Sequence, residues 1–222
     1  TYAEHLSGSK PDFIFTHVTR LVPSKGLWRD FQVLEHLDRI FAANEQRGVL
    51  FILTSSAGTR SPEDVARMEA EYQWPAQHRV GYPDLEGPEA KLWETVEAFN
   101  QRSQTIHAVL VNQFGWSRAL CGSGMPADMD FMGLRKGTHV EFGQSIYEPF
   151  GISQLEPLSF GALCVLSSVC GCKGFVERAA SDRPFPNMVV ADYTSLCGPR
   201  SIQELLRMDS AACLEIETEQ SL

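Results

Sequence analysis

Short apolar runs alternate along this chain with longer stretches whose apolar residues return every three or four positions. Phe13–Val18, Val49–Leu53, His107–Val111 and Val140–Phe142 have the length and composition of strands. Trp28 to about Asn44 reads as a helix with Phe31, Leu34, Leu37, Ile40 and Phe41 on one face. Ser61-Pro62-Glu63-Asp64 opens another, with a capping serine, proline in the first turn and an acidic residue at the capping-box position. Further helices are predicted over Glu89–Gln104, Asp128–Arg135 and Ile202–Met208, and the Pro- and Gly-rich Trp74–Pro88 is predicted to be loop. Ala162–Leu166 reads as a buried parallel strand and Asn187–Ala191 as the last strand, with a loop between them. This alternation predicts an α/β domain built on a mostly parallel sheet. The domain is expected over residues 12–208, after a leader or linker (1–11) and before a tail (209–222).

Composition narrows the partners. Apolar residues make up 43% of the 222 and charged residues 21%, ordinary values for a globular protein. Acidic residues outnumber basic ones by 28 to 19, a formal charge of −9, which argues against nucleic acid or an anionic membrane as the main partner. An anionic ligand would need a local basic site, so the few Arg and Lys are informative where they cluster. No run approaches a membrane span and no signal-peptide pattern opens the chain, so a cytoplasmic location is expected. The first residue is Thr rather than Met, and the chain is expected to be an excerpt of a longer protein. Cys121, Cys164, Cys170, Cys172, Cys197 and Cys213 fit no zinc spacing and are expected as reduced thiols. Cys170-Gly171-Cys172 reads as a loop, with a metal or redox pair as the alternative.

The richest stretch runs from Tyr147 to Glu156. Glu148 stands just before a predicted helix start marked by Pro149 and Gly151, and Glu156 follows after seven intervening residues. Gly161 is placed to end that helix. A helix N-terminus carries unpaired N–H groups and suits phosphate or a polarised sugar oxygen. Glu156 shares its helix with Ile152, Leu155 and Leu158, which predicts a partly buried carboxylate in need of a partner. The two acids can address different hydroxyls of one elongated polar ligand, a geometry that suggests a nucleotide sugar. Upstream, the first strand leads into Thr19-Arg20-Leu21-Val22-Pro23-Ser24-Lys25-Gly26, which puts two cations in a loop expected to face the same helix. His17 is a core or strand-end residue nearby. Trp116, in Phe114-Gly115-Trp116, is placed to pack or to stack on a base.

Ser145–Gly161 resembles the donor-site motif of the retaining GT-B glycosyltransferases, the group holding glycogen and starch synthases, whose signature is two glutamates separated by seven residues around Tyr-Glu-Pro-Phe-Gly. Arg20 and Lys25, with the Lys-Gly pair, match that family's diphosphate-holding turn. The resemblance implies a Rossmann-like, mostly parallel sheet with helices on both faces, the C-terminal half of a GT-B fold. It implies that Glu156 holds the ribose hydroxyls, that Glu148 faces the donor sugar, and that the amides of Phe150, Gly151 and Ile152 meet sugar and diphosphate. Arg20 and Lys25 would offset charge on the leaving diphosphate, and Gly171 would lie near the phosphates. The sequence departs from the pattern in Thr19, in Gly143-Gln144-Ser145 and in the cysteines beside Gly171.

The implied partners are a nucleoside-diphosphate sugar, as substrate rather than cofactor, and an N-terminal acceptor domain of the same full-length protein. No metal is expected, because Arg, Lys and amides can supply the positive field and no Asp-x-Asp motif adjoins the site. The expected activity is retaining transfer of a hexose to an acceptor hydroxyl, with the chain inactive alone. The alternative is a non-catalytic nucleotide-sugar-binding or interaction module of the same fold. NAD binding carries little weight, because Gly122-Ser123-Gly124 lacks the third glycine of that fingerprint.

Overall fold

Every residue of the run Gly48–Leu53 is buried, because the strand it forms is covered by helices on both faces. The computed structural model describes residues 2–180 and 185–193. The buried run is β2 of a six-stranded sheet with β1 (Phe13–Val18), β3 (Ile106–Val111), β4 (Val140–Gly143), β5 (Leu163–Ser167) and β6 (Met188–Ala191). All neighbouring strands are parallel, in the order β3-β2-β1-β4-β5-β6. The expected Rossmann-like sheet is therefore present, and its order reverses between β1 and β4, where such sheets open a crevice for ligands. There the ladder is short: β1 matches β2 along its whole length but meets β4 only at Phe15↔Val140 and Thr16↔Glu141.

One face of the sheet is covered by α2 (Leu27–Ala43) and α4 (Pro88–Arg102), through Phe31, Leu34, Trp93 and Val96 against Leu50 and Ile52. The alternate residues Val49, Phe51 and Leu53 point to the other face. They meet α1 (Tyr2–Ser7), α3 (Pro62–Tyr72), α5 (Arg118–Cys121) and α6 (Phe131–Gly137). Within the stretch expected as a leader, Tyr2, Ala3 and Leu6 of α1 are buried in this layer. Ser61 caps α3 by accepting the Asp64 amide, as its sequence predicts. The predicted helix over Ile202–Met208 and the tail lie outside the described residues.

Two expectations are corrected. The single helix predicted between Gly151 and Gly161 is a four-residue α7 (Ile152–Leu155) followed by a 3-10 turn, Glu156–Phe160. Pro157 has no N–H to give the Ser153 carbonyl four residues back, so the α-helical ladder stops there. Gly161, at φ +90°, does end the segment. The loop predicted after β5 instead contains α8 (Gly171–Ala180), whose buried stripe is Cys172, Val176 and Ala180. Positions i, i+4 and i+8 fall on one face of the helix, so this stripe turns toward the sheet although its side chains are small.

Two buried carboxylates fasten the helices to the strand ends. Asp38 in α2 accepts from the Ser103 hydroxyl and from the amides of Gln104 and Thr105. Glu89 in α4 accepts from Arg60, from the Ser56 amide and from Asn112. Burial pushes both acids up, but these donors outweigh it and hold each at about 2, against ordinary values of 3.8 and 4.5. Both shifts are downward, so their stabilisation is complete above about pH 4.5 and is lost as pH falls toward 2. Urea midpoints measured down this range should fall, and the fall should be shallower in Asp38→Asn and Glu89→Gln; equal slopes in all three proteins would refute the assignment.

Candidate functional site

The loops that leave β1 and β4 are stitched together by their backbones. Ile146 and Tyr147 both donate to the Ser24 carbonyl, at 2.8 and 3.3 Å. Arg29 of α2 donates to the Gln144 carbonyl at 2.6 Å. These bonds bring the cationic turn against the Glu148 loop, and Lys25 and Glu148 form an ion pair whose side chains are only 7% and 15% exposed. On the far side, the Ser153 hydroxyl donates to the Val18 carbonyl at 2.8 Å, tying α7 to the end of β1.

Between these loops lies a cleft of about 650 Å³ at the carboxyl ends of β1, β2 and β3 and beside the switch point. Arg20, Lys25, Glu148, Phe150, Gly151, Ile152 and Glu156 all line it. Seven of the eight residues selected from the sequence thus share one crevice. Arg20 is exposed and makes no ion pair among the described residues, so it is a free cation at the cleft mouth. Gly151, at φ +90°, lets the chain turn from the Glu148 loop into α7; a Cβ there would stand 2.6 Å from Gln154 Oε1.

Gly171 is the eighth, and it does not line the cleft. Its amide donates to the Glu148 carbonyl at 3.0 Å, and the next amide, of Cys172, donates to the Phe150 carbonyl at 2.6 Å. The start of α8 therefore supports the Glu148 loop from behind, and these two N–H groups are already used. Cys170 and Cys172 pack with Cys164 and Leu166 as small apolar side chains, and neither is in a disulfide. Cys197 and Cys213 lie outside the described residues.

Trp116 is 4% exposed and meets the rings of Tyr2 and Phe51 edge-on, with centroids 5.5 Å away in each case. Packing takes it away from the cleft, whose aromatic lining comes from Phe114, Phe131 and Phe150. His17 is wholly buried, with Nδ1 2.5 Å from Asp30 Oδ2. Burial pushes its imidazole down, but Asp30 outweighs that and the net displacement is upward. Asp30 also accepts from Gln144 at 3.0 Å, so this pair braces the loop after β4 from beneath.

Sequence reasoning missed the partner that Glu156 required. It is Arg135 of α6, fully buried, with Nε 3.3 Å from Glu156 Oε2. The same guanidinium bonds Glu141 of β4 at 3.0 Å. Glu141 is fully buried and is further bonded by the Thr16 hydroxyl and the Val18 amide, at 3.2 Å for the latter. It belongs to the interior. The available signal was a charged pair six residues apart bracketing the entry to a strand.

No protein-family model matches the chain, and no curated protein matches it. Solved structures do. A UDP-forming α,α-trehalose-phosphate synthase from Burkholderia xenovorans, in complex with glucose-6-phosphate, is 14% identical; the match covers 98% of this chain and 41% of that one, with a TM-score of 0.50. Sucrose-phosphate synthase from Thermosynechococcus elongatus is 17% identical, covering 98% and 43%, with a TM-score of 0.47. WaaG, a glycosyltransferase involved in lipopolysaccharide biosynthesis, is 17% identical, covering 99% and 41%, with a TM-score of 0.44. These neighbours are GT-B glycosyltransferases, and at such identity the first of them establishes the fold of this chain. The chain spans about two-fifths of their length. No helix among the described residues is long and apolar enough to cross a membrane.

Proposed function

We propose that this chain is the nucleotide-sugar donor-binding half of a retaining glycosyltransferase that works in the cytoplasm and moves a hexose from a nucleoside-diphosphate sugar, such as UDP- or ADP-glucose, to an acceptor hydroxyl. The observation that carries the reading is the meeting of Arg20, Lys25, Glu148 and Glu156 in one crevice at the switch point. Arg20 and Lys25, both lining the cleft, are the cations that would hold the diphosphate and stabilise charge that grows as the nucleotide leaves. Glu148, beside Lys25, faces the sugar, and Glu156, at the far end of α7, takes the ribose hydroxyls. The amides of Phe150, Gly151 and Ile152 line the path between them.

In this reading the bond from the anomeric carbon to the diphosphate breaks while the acceptor oxygen bonds to the same face of that carbon. The acceptor proton passes to the departing phosphate oxygen. The remainder of a full-length protein supplies the acceptor domain, and the chain alone binds donor without appreciable turnover. The positive field comes from side chains and amides, with no metal assigned a part.

Calorimetry with UDP-glucose and ADP-glucose tests the reading. The better donor should lose roughly tenfold or more in affinity with either Arg20→Ala or Glu156→Ala, the expected loss for one charged hydrogen bond. Binding that survives both substitutions undiminished would overturn the proposal.

A further inference from the structure

Pro157 leaves the Ser153 carbonyl without its helical donor, and Arg135 takes that vacancy by donating from Nη2. Nη1 of the same guanidinium holds Glu141, and its Cζ stands 5.4 Å from the Phe131 ring. With these contacts the Arg135 side chain is fixed on several sides and wholly buried. Its remaining edge faces Glu156, at 3.3 Å and outside hydrogen-bond geometry.

Glu156 is divided by this arrangement. Oε2 is buried toward Arg135 and has no hydrogen bond. Oε1 has no partner among the described residues and belongs to a side chain 36% exposed on the cleft. A carboxylate held at one oxygen by charge and open at the other has a set orientation before any ligand arrives. Glu141 does not depend on Arg135 alone, since Thr16 and the Val18 amide also bond it.

We propose that Arg135 is a positioning residue for the donor nucleotide: it fixes the inner oxygen of Glu156 so that the outer oxygen meets the ribose hydroxyls. The inference rests on reading the cleft as a nucleotide-sugar site. A purely structural Arg135 would change stability and leave ribose recognition alone. A positioning Arg135 changes the preference for ribose over a sugar without hydroxyls.

The test is calorimetry on the whole chain with UDP and ADP, each against its 2′,3′-dideoxy counterpart. The wild type should prefer the ribose form by roughly tenfold or more. Glu156→Gln should reduce that preference. Arg135→Lys, which keeps the charge but not the planar fork, should reduce it similarly while dideoxy binding is unchanged. Glu141→Gln/Arg135→Met removes both buried charges together, which guards against loss of the fold from a single uncompensated charge, and should behave alike. Folded variants that keep the full ribose preference overturn the inference and leave the nucleotide-sugar reading standing. A wild type that binds none of the four ligands overturns that reading, and the inference with it.

Discussion

Lys25→Ala is expected to weaken nucleoside-diphosphate binding by roughly a hundredfold in the wild-type background, but only about tenfold when Glu148 is already Gln. The difference follows from the ion pair that the two residues make in the cleft, where both side chains are largely withdrawn from water. In the proposed reading, removing Lys25 deletes a cation that would face the diphosphate. It also leaves the Glu148 carboxylate uncompensated in the space an anion must enter, where repulsion is only partly screened. Neutralising Glu148 first removes the second penalty and leaves the first. A double-mutant cycle read by calorimetry isolates the coupling. Equal losses in the two backgrounds would mean that Lys25 and Glu148 do not act on the same bound molecule.

The second large effect is structural. Gly171→Val should destabilise the chain by about 3 kcal/mol or more, because a Cβ at this position would stand 1.9 Å from the Pro149 carbonyl oxygen and 3.3 Å from Phe150 Cα. Those atoms are backbone of the Glu148 loop and cannot rotate away. At this chain length the melting temperature should fall by roughly 6–12 °C. Gly174 in the same helix is the control: its nearest foreign atom is the end of the Arg178 side chain at 3.4 Å. Gly174→Ala should be neutral or stabilising by about 0.5–1 kcal/mol. A melting curve for Gly171→Val that overlays that of Gly174→Ala would refute the account of this contact.

The sheet was legible because its strands are buried on both faces, and a run such as Val49–Leu53 has no polar residue to disguise it. The start of α3 was legible because Ser61 and Asp64 carry their own capping chemistry. Arg20, Lys25, Glu148 and Glu156 were legible as a group because strand ends on one edge of a parallel sheet converge. What stayed hidden depended on contacts between distant segments. α8 escaped because Cys170-Gly171-Cys172 read as a loop and the buried stripe of Cys172, Val176 and Ala180 lacks the large apolar residues that mark a helical face. The break after α7 was written in Pro157, yet only the fold reveals that Arg135 answers the freed carbonyl. His17 and Asp30 likewise met only once α2 lay against β1. Trp116 shows the reverse case, where a residue next to the cleft in sequence is drawn into the core by Tyr2 and Phe51.

The ladder joining β1 to β4 is two residues long, against six for β1 with β2 and four for β4 with β5, and side-chain and loop bonds complete the seam. Thr16, Glu141 and Arg135 act as rivets along that line. The cleft opens over the same line, with Arg20 and Lys25 on one lip and Glu148 and Glu156 on the other. Any molecule gripping both lips would serve as a splint across the shortest ladder of the sheet. Occupancy and mechanical cohesion are thereby made one variable.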